Sequence, residues 1–455
     1  LELGRFDTTD KWQAHINKIF YGLKGPAIHS HFQTFVSQDH RLAHALAEDY
    51  YQHAIRSAKR PEITYVQELG IGNGNLASCF LSHLKELDRG SLVYPKTCYI
   101  PCDYSREIIK GVKERHEIQR HSGKVSLVQL SAYNLGCFKD QSISKLISNE
   151  LWDDLSTKVF VKMKADVVEE HLQPRIDRDQ LQGIDDVDRF VKDFNASDLD
   201  RLKDYPPFIN NIIWEREYRQ VDWTGVSCGR IIRTMFKNID EMIDVPVNVG
   251  AIKTIESAYS LLQEGGSYSA FDYGLMTFET LNNPDTECYN IYGGQYTFLV
   301  NLPLMERVAR FIGFKGVFLE RQHHFIQRCT GERVISLVEL VETHPDFNTI
   351  QSWDRDLLFL KTMQVLNKKY ISPYKRSIEI IPQEEAPEET RDAIRKLAAS
   401  LKPDGVPDTV AYISEGEVFP LLNEFLELGY REDRLRDLFY KRERRVDYFH
   451  LLLIK

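Results

Sequence analysis

The run Glu68-Leu69-Gly70-Ile71-Gly72-Asn73-Gly74-Asn75 constrains this chain more than any other stretch. An apolar-rich segment, Ile63 to Val66, precedes it, and Leu76-Ala77-Ser78-Cys79-Phe80-Leu81 follows as the start of a helix. Strand, glycine turn and helix in that order build a nucleotide-binding crevice at the carboxyl end of a parallel strand. Residues without a Cβ allow the tight turn and the close approach of a ligand. A dinucleotide fingerprint needs G-x-G-x-x-G. Counted from Gly70 its third glycine is replaced by Asn75. Counted from Gly72 it is Ala77, which the looser form of that pattern accepts. The turn alone therefore leaves the ligand open.

The 455 residues suffice for two or three domains, or one large domain with insertions. A formal charge of -9 argues against nucleic-acid binding, which needs a basic face. Seven scattered cysteines without a C-x-x-C pair suit a reducing compartment rather than a disulfide framework or a zinc site. No apolar run approaches a membrane span. The expected location is cytoplasmic, with the mitochondrial matrix as the alternative, and a homodimer is an open possibility for assembly.

Up to about residue 60 the chain reads as helical, with Leu42, Leu46, Tyr50 and Ala54 at helical spacing. From 61 to 165 strands alternate with helices, the pattern of a parallel doubly wound sheet. Residues 166–224 are polar, and 166–245 reads as an inserted helical lid. The alternation resumes over 246–345, with a helix at about 250–262 stopped by Gly265-Gly266, strands at Ser267–Phe271 and Val317–Leu319, and another at Val334–Val341. Residues 346–455 read as a helical carboxyl-terminal appendage.

Ligands in such sheets bind outside the carboxyl ends of the strands. Four ends carry polar residues. The first has Glu68 with Gly70, Gly72 and Gly74. The second is Asp103-Tyr104-Ser105, whose carboxylate suits a pair of ribose hydroxyls. Asp103 lies further from Gly70 than the roughly 20 residues of a dinucleotide site, a difference the loop 87–96 can absorb. The third, Asn149-Glu150-Leu151-Trp152-Asp153-Asp154, points carboxylates at the crevice mouth; an acidic helix-capping loop is the plainer reading. The fourth is Phe271-Asp272-Tyr273-Gly274.

Together these segments resemble the MidA-like family of class I S-adenosylmethionine-dependent methyltransferases, which includes the mitochondrial arginine methyltransferase of a complex I subunit. Gly25-Pro26 resembles the family's amino-terminal Gly-Pro, and the glycine run its E-L-G-x-G-x-G-x-L. Asp103-Tyr104-Ser105 is similar to its E-V-S, Asn149 to Leu155 to its N-E-x-x-D-x-L, and Phe271 to Gly274 to its D-Y-G. Gln322 through Ile326 resembles its late Q-x-x-F-L. Three departures fall on the acceptor side. Ser156 stands where the family has Pro, Gln295–Asn301 lacks an acidic residue, and the polar stretch 166–224 is long.

The resemblance implies an α/β fold with a class I (Rossmann-like) methyltransferase sheet, a helical amino-terminal region, an inserted lid and a carboxyl-terminal appendage. It implies S-adenosylmethionine as cofactor, held by Gly25, Pro26, Glu68, Gly70, Gly72, Gly74, Asp103 and Ser105. It places Glu150, Asp153 and Asn149 in catalysis, with Asp272, Tyr273 and Gln322 on the substrate side. The methyl acceptor is a protein arginine or a small molecule. Neither His29-x-His31 nor His323-His324 has a recognisable metal-ligand spacing, so no metal ligands are assigned, and a metal-assisted small-molecule C-, O- or N-methyltransferase stands as an alternative. An NAD-dependent oxidoreductase and a non-catalytic assembly factor are the alternatives outside methyl transfer.

Overall fold

Seven strands, ordered β3-β2-β1-β4-β5-β7-β6, form the central sheet. They are β1 (Thr64–Leu69), β2 (Thr97–Asp103), β3 (Val128–Gln129), β4 (Ile143–Asn149), β5 (Leu262–Leu275), β6 (Gly316–Arg321) and β7 (Tyr448–Ile454). The computed structural model describes residues 1–24, 39–56, 62–292, 294–375, 380–407, 410–441 and 448–455. β1 to β5 pair in parallel, whereas β7 runs antiparallel to both β5 and β6. The short strand Val300–Asn301 adds to the end of β5.

Both faces of the sheet are covered, so its strands read as nearly continuous apolar runs. The helices α2 (Arg41–Arg56), α3 (Asn75–Leu87) and α7 (Gln322–Thr330) cover one face, burying Leu42, Leu46, Phe80 and Phe325 against Val66, Ile147 and Phe271. On the other face α5 (Val249–Leu261) and α6 (Leu302–Ile312) bury Ile252, Ile255, Met305 and Val308 against Leu146 and Tyr268. The remaining helices used below are α1 (Thr9–Lys24) and α4 (Arg106–Glu114).

Four sequence expectations change. Residues 166–245 are not mainly helical. Asp166–Ile176 and Ile212–Gln220 are long strands of a second, antiparallel sheet with Lys158–Met163, Asp244–Val247 and the amino-terminal Asp7–Thr8. Charged residues on the open face of these strands made them read as polar helix. One face is in fact buried, with Leu172 and Ile176 in a core shared with Trp12, Ile16 and Phe194.

The segment Val334–Val341 is a strand only to Ser336 and then a helix, Leu337–Glu342. Ser336 Oγ accepts the Glu339 amide at 3.2 Å, while Glu339 Oε2 accepts the Ser336 amide at 2.9 Å. This reciprocal cap switches the backbone from extended to helical.

The stretch 346–455 is not wholly an appendage. Its helices form a separate core around Leu340, Leu360, Met363, Ile394 and Phe425, but Tyr448–Ile454 returns as β7. The helical unit is therefore an insertion between β6 and β7. A short apolar run has no periodicity to separate buried strand from buried helix.

The helix α5 ends at Leu261, as its spacing predicts, yet Gly265 does not stop it. With φ of +76°, Gly265 sits inside β5 where the register with β4 shifts between Leu262 and Ser267.

Candidate active site

The glycine turn is bound to the end of the neighbouring strand. The amides of Gly70 and Ile71 both donate to the Cys102 carbonyl, at 2.9 and 3.1 Å. Gly70, Gly72 and Gly74 all have positive φ, 74°, 54° and 77°. A Cβ on Gly74 would stand 3.0 Å from Val112 of α4, so that glycine also serves packing. A Cβ on Gly72 would meet nothing within 4 Å: there the turn faces open space.

Asp103 lies at the end of β2, next to this turn. Its Oδ1 accepts the Ser105 amide at 2.9 Å, and Ser105 Oγ caps α4 through the Ile108 amide. Burial raises the Asp103 carboxyl to about 6, against the opposing pull of the Ser105, Gly72 and Tyr104 amides. Its carboxyl oxygens are suited to accept hydroxyl groups. Glu68 differs. It is 3% exposed, takes the Tyr99 hydroxyl at 2.9 Å and is pushed up to about 8 by burial, with Asp103 adding to the shift. It braces β1 against β2 from behind the turn. Gly25 and Pro26 lie outside the described residues, as do His29 and His31.

The residue after β4, Glu150, has φ of +45°. A left-handed glutamate costs roughly 1–3 kcal/mol and such outliers gather at functional sites. Here its amide is fixed to the Phe271 carbonyl at 2.8 Å, while Asn149 Nδ2 donates to its Oε1 at 3.3 Å. The loop then bends over Asp272. The Trp152 and Asp153 amides donate to Asp272 Oδ2 at 2.8 and 3.3 Å, and the Tyr273 amide to Oδ1 at 2.9 Å. The Tyr273 hydroxyl reaches back to Asp153 Oδ2 at 2.6 Å.

Four carboxyl groups thus share one end of β4 and β5. Burial and the Asp153 charge push Glu150 up to about 8, and the same two causes raise Asp154 to about 7. Asp153 and Asp272 are also raised, chiefly by burial. Crowded acids in a low-dielectric site favour either protons or an added cation.

The sequence reading missed the face of α1. Asn17 Nδ2 donates to Asp154 Oδ1 at 2.6 Å, and Gln13 Oε1 accepts the Thr157 amide at 2.8 Å. Gln295 Nε2 donates to the Tyr21 hydroxyl at 2.7 Å and to Asp154 at 3.3 Å. Gln295 thus sets an uncharged amide beside an aspartate. Tyr21 meets Tyr104 edge to face at 6.4 Å, joining the second and third strand ends. Polar residues on an apolar helix face were the available signal, but nothing local says what they meet.

Asn149, Glu150, Asp153, Asp272 and Tyr273 are brought together. Asp272 is 2% exposed and spends its oxygens on backbone amides, so it shapes the loop rather than meeting a substrate. Gln322 is buried at the start of α7 and donates to the Tyr412 hydroxyl at 2.7 Å, facing the inserted helical unit. Among the described residues no group of three or more His, Cys, Asp or Glu side chains is arranged to hold a metal ion. No described helix is long and apolar enough to cross a membrane.

The sheet order separates two of the sequence alternatives. A dinucleotide-binding sheet continues 3-2-1-4-5-6, whereas antiparallel β7 lies here between β5 and β6. No family model matches the chain, and no curated protein matches it. Among solved structures, a candidate methyl transferase from Burkholderia thailandensis, bound to S-adenosyl-homocysteine, aligns with 99% of this chain and 88% of its own, at TM-score 0.50 and 12% identity. The fold is that of a class I methyltransferase. The native structure of an uncharacterized protein of the same superfamily and organism aligns over 99% and 87%, at TM-score 0.46 and 12% identity. A Haemonchus contortus phosphoethanolamine N-methyltransferase in complex with S-adenosylhomocysteine aligns with 90% of this chain and 52% of its own, at TM-score 0.32 and 10% identity.

Proposed function

We propose that this protein is an S-adenosylmethionine-dependent methyltransferase acting on a cationic nitrogen acceptor, with a protein arginine as the leading candidate. The observation that carries the reading is the crowd of raised carboxyl groups at Glu150, Asp153 and Asp154, one loop away from an open glycine turn. Gly72 leaves room for the donor against the backbone, and Asp103 suits its ribose hydroxyls. The bound donor supplies an electrophilic methyl carbon on a sulfonium.

The protein's tasks are alignment and exclusion of water. Glu150 is suited to hold a guanidinium through two parallel hydrogen bonds. Such a partner lowers its proton affinity and keeps it charged. Asp153, held by the Tyr273 hydroxyl, is in position to orient the acceptor or take its proton. Gln295 favours a second reading, a small-molecule acceptor, because it sets an uncharged amide beside Asp154 and Tyr21.

Incubation with labelled donor and a cell lysate tests the reading: label entering protein supports the arginine acceptor, label entering metabolites the second reading. Glu150→Gln should bind the donor normally and lose turnover. Full activity in that variant overturns the assignment.

A further inference from the structure

A cavity of about 180 Å³ opens at the end of the central strands opposite the glycine turn. Thr64, which begins β1, and Ser144 and Lys145, near the start of β4, border it. Its walls are mainly apolar: Ala54 of α2, Leu92 and Val93 of the α3–β2 connection, and Leu452 and Ile454 of β7. A void of roughly 150 Å³ already admits a benzene-sized body.

Its polar lining includes two lysines, Lys96 and Lys145, and one carboxylate, Asp49, beside the apolar wall. Lys145 is buried, with its Nζ donating to Asp49 Oδ2 at 2.9 Å and Ser269 Oγ at 3.2 Å. An ammonium has three donors, so one is left over. Asp49 also stands 4.0 Å from Arg328, whose closer partner is Glu320 at 2.7 Å. Lys96 makes no ion pair among the described residues. Ser144 Oγ is shielded from solvent and has no hydrogen-bond partner among them. Two lysines against the single carboxylate Asp49 leave the cavity lining with a net positive charge, and with unused donors beside a hydrocarbon wall.

We propose that this cavity binds a small amphipathic carboxylate. Its head would lie on Lys145, Lys96 and Ser144, and its chain against Ala54, Val93, Leu452 and Ile454. The proposal is independent of the methyl-transfer reading, since the two sites lie at opposite ends of the strands.

Octanoate is the probe, titrated calorimetrically into the full chain with octylamine and octanol as controls. One octanoate per chain is expected, with little or no heat from either control. Lys96→Met and Ala54→Phe, the first removing charge and the second filling the apolar end, should each weaken octanoate at least tenfold. Lys145→Met should do the same where it folds, judged by circular dichroism. Three results would overturn the proposal: no saturable heat at millimolar octanoate, equal binding of octylamine, or unchanged affinity in both Lys96→Met and Ala54→Phe. Competition between octanoate and S-adenosylmethionine for one site would overturn it as well.

Discussion

Asp272 Oδ2 receives the backbone amide of Trp152 at 2.8 Å, tying the loop after β4 to the end of β5. Both partners are buried, as is the Asp153 amide that shares the same oxygen. A buried donor left without a partner costs about 1–3 kcal/mol. Asp272→Ala should therefore lower unfolding stability by about 2–4 kcal/mol, measured by urea titration. A loss within experimental error would show that water or a shifted backbone replaces the carboxylate.

Tyr273 is a positioning residue, acting through Asp153. Tyr273→Phe removes a hydrogen bond to a carboxylate, worth about 1.5–3 kcal/mol. The expected kcat loss is roughly 10- to 100-fold with an unchanged KM for the donor. Without that hydroxyl Asp153 holds its proton more firmly, so the acid limb of the rate profile should move to higher pH. A kcat loss without that movement would point to a packing role alone.

The raised acids set the pH dependence of stability. Burial lifts Glu150 from its ordinary 4.5 to about 8, so the folded chain keeps a proton that the unfolded chain releases. Between those values the native state binds more protons, and stability falls as pH rises. The contribution is complete below 4.5 and lost as pH passes 8. Donor-free protein should melt at progressively lower temperature from about pH 5 to 8.5, with a shallower fall in Glu150→Gln. Parallel slopes for the two proteins would remove Glu150 from the explanation.

Two glycines of one turn should respond differently. Gly72→Ala adds a methyl group in open space, whereas Gly74→Ala sets one against Val112. Both pay for a positive φ, about 1 kcal/mol. Thermal melts should show the larger stability loss for Gly74→Ala. Calorimetry with S-adenosylmethionine should show the larger affinity loss for Gly72→Ala. Equal donor affinity in wild type and Gly72→Ala would place the donor elsewhere.

The parts of the fold visible in the sequence were those whose cause is local. Glycines at positions 70, 72 and 74 demand a turn by themselves, and α5 follows from its own apolar spacing. The strand ends carrying Asp103 and Glu150 could be read because a parallel sheet concentrates polar residues there. Asn17 and Gln295 could not, because their meaning lies in Asp154, far along the chain. The strand Tyr448–Ile454 was hidden for a related reason. Its partners are fixed by pairing with β5 and β6, and its own residues carry no period that announces them.

That strand's place in the sheet also bears on how the molecule assembles. β5 and β6 do not touch each other; each is edged by β7, and more than a hundred residues of helical insertion separate β6 from it. The barrier to completing the sheet is thus the closure of a long loop, which slows folding. A helical unit that condenses early, around Leu360 and Phe425, would shorten the effective loop and bring β7 within reach. Substitutions in that distant core should then slow refolding of the sheet without touching any residue of the methyl site.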